Sequence, residues 1–368
     1  NTRCRFDYGP QGSLVRFIDG RVSACTASYS PFVECLQQID PLGRVHANTL
    51  DIEGRVTSIR NPKGEITSLE YDSVGNLIAM KHFDGSIEHR QYDVAGRMVE
   101  QSKPDGVTLQ FQHDALGNIL RITSNGHELH NIKYDTCGEV IEARTSGGEV
   151  AIEYESGGRI KAEIQNNRRI AYTYDEQGLV ARREFAGSKA GPLSLEYDGR
   201  GRLISFRTEN EGEQSFYYDT ASRLSRRKIG AVQEYFEYDG VGRIKNQRLS
   251  GIGTRTYQYD AEDALIEVVD SMRGRTRQYS YDAADQLMSS IVEQHTRVKG
   301  GATEEYRYRY DANGNLIARD QTEMSYAKGD RVERLERIEF QRDADGNIIS
   351  KYEGGVETRY EWNALGEL

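Results

Sequence analysis

The stretch Tyr71-Asp72-Ser73-Val74-Gly75-Asn76-Leu77-Ile78 returns about every 21 residues to the end of the chain. Tyr92-Asp93-Val94-Ala95-Gly96-Arg97-Met98-Val99 is the next copy, and Tyr310-Asp311-Ala312-Asn313-Gly314-Asn315-Leu316-Ile317 is a late one. An array grows by adding units, so 368 residues do not imply two or three separate cores. From residue 71 the anchor of each unit falls on Tyr71, Tyr92, His113, Tyr134, Tyr154, Tyr174, Tyr197, Tyr218, Tyr238, Tyr259, Tyr281, Tyr310, Arg342 and Trp362. Six residues later the side chain is apolar in every copy, from Leu77 and Met98 to Leu316, Ile348 and Leu368. Two residues before the anchor it is apolar or aromatic, as in Leu69, Phe111 and Tyr308, with Arg90 the exception.

Glu305-Tyr306-Arg307-Tyr308-Arg309-Tyr310 alternates charged and aromatic residues, the mark of a strand with two different faces. The anchor therefore ends a strand. The next residue is Asp (Asp72, Asp93, Asp135, Asp175, Asp311), whose carboxylate suits the start of a turn. Four residues after the anchor comes Gly (Gly75, Gly96, Gly138, Gly178, Gly314), which takes positive φ at low cost. Ser222, Asp263 and Asp285 stand there in other copies. A second turn follows about seven residues on, at Asp84-Gly85, Asp105-Gly106 or Asn125-Gly126, and these pairs are strong hairpin signals.

Each unit is thus one β-hairpin, and successive hairpins pair into one antiparallel ribbon. Isolated hairpins are marginal in water, so stability comes from stacking neighbours. Roughly 17 units give about 34 strands and a ribbon of about 160 Å, which strand twist forces to coil. The fold class is all-β, and no helical pattern of useful length is present. Composition agrees: 37% hydrophobic residues but 23 Tyr against 10 Phe and one Trp suit a thin sheet wetted on both faces.

Residues 71–368 form the regular array, and 1–70 a degenerate one. Tyr8-Gly9-Pro10-Gln11-Gly12-Ser13-Leu14 is a worn copy, residues 21–38 fit poorly, and Leu50-Asp51-Ile52-Glu53-Gly54-Arg55-Val56 has Leu for Tyr. Two long intervals, 293–305 and 320–338, read as longer hairpins projecting from the wall.

A net charge of −10 with both signs interleaved argues against nucleic acid as a partner. No run reaches the ~18 apolar residues of a membrane span, and no signal-peptide core opens the sequence. Cys4, Cys25, Cys35 and Cys137 form no Cys-x-x-Cys pair and read as small buried or half-buried thiols rather than a disulfide framework. The repeated aspartates already have a turn role, and no converging pair suggests acid–base catalysis. His127 and His130 lack partners at metal-ligand spacing. Asp343-Ala344-Asp345-Gly346 lacks the bidentate Glu of a calcium loop. No helix follows the Gly-rich turns, so they match no phosphate loop. The reading is a non-enzyme with no cofactor and no metal.

The Tyr-Asp-x-x-Gly-x-Leu unit at this spacing, with Asp-Gly turns between, resembles the YD/Rhs repeat, firmly over 71–368 and loosely over 1–70. The resemblance implies a hollow shell in which the ribbon spirals into a cocoon, of which this chain forms part. It also implies a bacterial polymorphic toxin that holds its own C-terminal toxin as cargo. Such proteins are made in the cytoplasm and secreted or delivered to a target cell, often by type VI secretion. A spike or PAAR-type domain, a chaperone and an immunity protein are implied partners. Toxin-complex C components and teneurin shells are relatives. The family's Asp-Pro-x-Gly-Leu-type autocleavage motif is not matched at the end of this sequence, so the aspartyl autoproteolysis and the toxin are expected outside this chain. The other reading of the same repeats is an extracellular adhesion or carbohydrate-binding surface, with tyrosines such as Tyr306 and Tyr308 stacking on sugars.

Overall fold

The computed structural model describes residues 4–19, 22–189, 191–210, 212–295 and 302–367. Leu368 and the middle of the 293–305 interval lie outside the described residues. The described residues form 35 strands of one sheet, from Arg5–Tyr8 to Val356–Arg359, against the roughly 34 expected for the chain. Strands pair antiparallel with their sequence neighbours: Ile66–Tyr71 with Leu77–Lys81, and that strand with Ile87–Tyr92. The one helical element among the described residues is a single 3-10 turn, Lys328–Asp330.

A β-bulge lies at most of the anchors. Glu70 faces Ala79 and Tyr71 faces Leu77, leaving Ile78 as the extra residue. The same shift recurs at Tyr134, Tyr174, Tyr218 and Tyr310. Bulges raise the local twist, so each recurrence adds twist to the strand pair that carries it.

The wall has little core. Among the described residues the buried apolar side chains are Ala79, Leu109, Ala162, Val292 and Ala318, and no large side chain is fully buried. Most strand residues are half-buried, which explains the low hydrophobic content.

Three sequence readings are corrected. Residues 21–38 contain a complete unit: Tyr29 is its anchor, Ser30 takes the Asp position, Val33 takes the Gly position at φ 72°, and Cys35 starts the next strand. Ser30 Oγ accepts from the amides of Phe32 at 3.1 Å and Glu34 at 3.2 Å, as the Asp carboxylate does elsewhere. The stretch 320–338 is not one projecting hairpin. It holds the strands Thr322–Ala327 and Arg331–Leu335, paired across Lys328–Asp330, so a shortened unit anchored on Tyr326 hides there. Finally, only Cys35 is a half-buried thiol. Cys4, Cys25 and Cys137 are exposed, Cys4 just before the first strand, Cys137 in a turn and Cys25 on a strand of a one-layer wall.

The chain divides into two compact units: Asn1–Gln110 with Gln258–Glu267 and Arg275–Leu368, and Phe111–Tyr257 with Val268–Gly274. In the second unit some far ends close in two-residue turns, as at Asn125 and Gly126 with positive φ at both (51° and 79°), while the one between Ile244–Leu249 and Gly253–Tyr259 is longer. In the first unit the early far turns are longer and closed by backbone bonds, such as Asn61 N–H to Glu65 O at 3.0 Å.

Candidate functional site

The element repeated throughout is the joint around each anchor. Where two neighbouring strands part to enter separate turns, the ladder between successive hairpins opens. Pairing of Leu77–Lys81 with Ile87–Tyr92 stops at Ala79 and His89, which leaves the Leu77 carbonyl beyond the last rung. An unpaired main-chain acceptor in a half-buried place is costly. The next anchor supplies its partner: the Tyr92 hydroxyl donates to Leu77 O at 3.0 Å. Tyr71 donates to Val56 O at 2.9 Å, Tyr134 to Ile119 O at 3.0 Å, Tyr174 to Ile160 O at 2.6 Å and Tyr310 to Leu287 O at 3.0 Å. Each bond ties a unit to the strand that opens the unit before it. Burial pushes the phenols of Tyr154, Tyr238, Tyr281 and Tyr310 up, so they remain protonated donors.

This bond accounts for two of the substitutions of Tyr. Trp362 Nε1 donates to Ile348 O at 2.8 Å, and Arg342 Nε to Val332 O at 3.3 Å. The position requires an apolar or flat stem with a donor at its tip, not a phenol as such. The Arg342 acceptor also marks Val332 as the strand start of the hidden unit.

The aspartates hold the turn. Asp72 Oδ1 accepts from the amides of Val74 at 3.0 Å and Asn76 at 2.8 Å. Asp93, Asp135, Asp175 and Asp311 repeat the pattern. Gly75, Gly96, Gly138, Gly178 and Gly314 take φ between 75° and 95°. The remaining carboxylate oxygen faces the residue five after the anchor, a position that sequence reasoning passed over. Where that residue is Asn, its amide donates, as from Asn76 to Asp72 at 2.9 Å. Where it is Arg, Nε donates, as in Arg97–Asp93 and Arg202–Asp198, both 2.7 Å. The Arg202 side-chain bond, helped by turn amides, holds the Asp198 carboxyl down at about 2. For Asp72 the Asn76 side chain is the main cause of a lowered value.

The same arginine then covers the next anchor. Arg55 lies 5.0 Å from the Tyr71 ring centroid, Arg202 4.6 Å from Tyr218 and Arg223 4.5 Å from Tyr238. Such stacking contributes about 0.5–1 kcal/mol at an exposed site. Asp, Arg and Tyr thus form a relay from one unit to the next. Its signal was present in the letters Gly-Arg-Met, Gly-Arg-Leu and Gly-Arg-Ile after the turn.

A second arrangement lies within the first compact unit. Far turns of the early hairpins meet anchor-side turns of the late ones. Arg44 Nη1 donates to Gln286 Oε1 at 2.8 Å across 242 residues of sequence. Lys63 Nζ lies 2.6 Å from Asp311 and 3.0 Å from Asp330, while its amide donates to Asn313. Arg331 pairs with Asp84 at 2.6 Å. Lys103 pairs with Asp345 and donates to Ala364 O at 3.0 Å. Burial opposes the charge on Lys63, but the hydrogen bonds of Asp311 and Asp330 outweigh it and hold the ammonium above the ordinary lysine value. Burial likewise opposes the charge on Asp311, and Lys63 outweighs it, so Asp311 is held low. Both sides of this seam ascend together in sequence: 44, 63, 84 and 103 meet 286, 311, 331 and 345. Two courses of the ribbon therefore run side by side in the same direction, as successive turns of a coil do.

A twisted one-layer ribbon of riveted hairpins, laid against its own earlier course, defines a tandem-repeat β-wall. The teneurin YD-shell model matches residues 124–222 and 271–368, and the RHS repeat model matches 53–87 and 92–128. With the YD-shell match covering more than half of its length, the chain belongs to the YD-shell family and carries RHS repeats. Comparison with curated proteins gives no match. Among solved structures it is similar to the Photorhabdus luminescens Tc holotoxin pore with a mutated TccC3, at 15% identity and a TM-score of 0.76, over 99% of this chain and 24% of that one. A TcdB2-TccC3-Cdc42 crystal structure matches at 15% identity and a TM-score of 0.71, over 99% and 26%. TcdB2-TccC3 without its hypervariable C-terminal region matches at 15% identity and a TM-score of 0.65, again over 99% and 26%. The chain spans about a quarter of these proteins. The fold is therefore that of a YD shell. Among the described residues no helix is long and apolar enough to cross a membrane.

Proposed function

We propose that this chain is a wall segment of a polymorphic toxin shell, and that the shell sequesters a C-terminal toxin until delivery. The observation that carries the reading is the seam. A ribbon laid against its earlier course in the same direction makes a continuous surface, where a free ribbon would make only a strip. The joint keeps that surface stiff without a second layer. The similarity to holotoxin components, one of which was solved without its hypervariable C-terminal region, supports the same reading. The wall itself performs no chemistry in this proposal. Any toxin activity and any aspartyl autoproteolysis belong to other parts of the parent protein. The parent is delivered to a target cell, with type VI secretion the favoured route. A spike or PAAR-type domain, a chaperone and an immunity protein are the partners to seek.

The test is electron microscopy of the parent protein, together with protease protection of its C-terminal region. A hollow particle whose C-terminal region resists protease until the shell is unfolded supports the proposal. A solid globule, a flexible rod, or a C-terminal region cut as fast as an isolated peptide overturns it.

A further inference from the structure

The late part of the first unit holds a hollow of about 460 Å³ on one face of the sheet. Four neighbouring strands build it: Arg275–Tyr281, Leu287–Gln294, Thr303–Tyr310 and Leu316–Arg319. Cross-strand partners share a face, and the register sets Arg277 across from Val292 and Glu304, Tyr279 across from Ser290 and Tyr306, and Tyr308 across from Arg319. The volume is that of a small-ligand pocket rather than of a flat protein interface.

Its arginines differ from those of the repeated turns. Repeat arginines such as Arg55, Arg97 and Arg202 each hold a carboxylate. Arg275 and Arg277 make no ion pair among the described residues, and Arg277 Nε is buried without a hydrogen-bond partner. The nearby Glu304 carboxylate is engaged by the Tyr306 hydroxyl at 2.7 Å, and Arg319 by Glu336. The Tyr308 hydroxyl lies 3.2 Å from Ser290 Oγ. With both tyrosine tips tied, the ring faces remain as contact surface. A guanidinium with an unfilled N–H fits a planar oxyanion, and tyrosine faces fit a ring.

The geometry points to a binding site for a small ring-bearing oxyanion, its carboxylate or phosphate on Arg277 and Arg275 and its ring against the tyrosines. Acidic sugars and nucleoside monophosphates share this chemistry. The inference does not depend on what the shell encloses.

Titration calorimetry of the whole chain tests it, with a glucuronate-containing disaccharide, a nucleoside monophosphate, inorganic phosphate and uncharged cellobiose. At least one of the two ring-bearing oxyanions is expected to bind saturably, and which one binds identifies the source. Phosphate and cellobiose are each expected to bind about tenfold more weakly or worse, because each lacks one half of the recognition. Arg277→Gln is expected to weaken binding at least about tenfold, and Arg277→Lys to restore part of it. Arg275→Gln, at the end of its strand, serves if the first variant does not fold. Failure of both ring-bearing oxyanions to bind, cellobiose binding as tightly as they do, or unchanged affinity in the folded glutamine variant overturns the assignment.

Discussion

Replacing Tyr218 by Phe removes one hydroxyl and leaves the ring. The lost bond is the 2.8 Å donation to Leu203 O. The carbonyl stays half-buried beyond the end of its ladder, where water reaches it in part. The loss is therefore near the middle of the usual range, about 1 kcal/mol, not the larger cost of a sealed orphan. Tyr218→Ala also removes the ring and its contact with the Arg202 guanidinium 4.6 Å away. The combined loss is about 3–4 kcal/mol. Because the array is stabilised by neighbour contacts, the effect stays local. Native-state hydrogen exchange by mass spectrometry reads it directly. Amides in Leu203–Thr208 and Gly212–Tyr218 are expected to exchange about fivefold faster in Tyr218→Phe, with units further along unchanged. Tyr217→Phe is the control, since Tyr217 lies on the other face and is 41% exposed. Equal effects from the two substitutions, or a uniform speeding across the whole chain, would refute the role given to the hydroxyl.

Val33 holds a β-branched side chain at φ 72°, so Val33→Gly is expected to stabilise its unit by about 1 kcal/mol, seen as slower exchange in Ala24–Tyr29 and Cys35–Ile39. Asp198 is held at about 2 against an ordinary 3.8, so its contribution is complete above pH 3.8 and disappears as pH falls towards 2. A carboxyl titration by nuclear magnetic resonance checks this, and Arg202→Met is expected to move the midpoint back towards 3.8. At the seam, Lys63→Met leaves Asp311 and Asp330 facing each other, so loosening is expected in the turns at 61–65 and 311–315, worth about 1 kcal/mol and shrinking in high salt. The depressed aspartates lose their contribution as pH falls below 3.8, and the raised Lys63 loses its own as pH climbs past 10.5, so the seam is strongest between those values.

The hairpins were legible because a strand's period of two and the Asp-Gly and Asn-Gly turns are local signals. The rivet was not. Tyr92 and Leu77 lie 15 residues apart on strands that have just stopped pairing, and nothing in the letters says that a carbonyl is left over. The Arg relay was half-legible: the recurring Arg is visible, but its stacking on the following Tyr needs the bulge that brings them together. The unit at Tyr326 escaped because Ala327 stands where Asp is expected and two-residue turns shorten it on both sides. The unit at Tyr29 escaped because Ser and Val replace Asp and Gly, although Ser30 still caps the turn. The seam joins residues some 240 apart, so only folding could pair Lys63 with Asp311.

The rivets all point one way. Each tyrosine anchor described above donates its hydroxyl to an acceptor earlier in the chain. During synthesis the earlier residue leaves the ribosome first, so every new unit finds its partner already made and never waits for sequence not yet translated. The wall can therefore set course by course at the pace of translation, each hairpin closing the open end of the last. A seam that forms only after some 240 further residues have emerged then serves as the late, separate step that converts a growing strip into a surface.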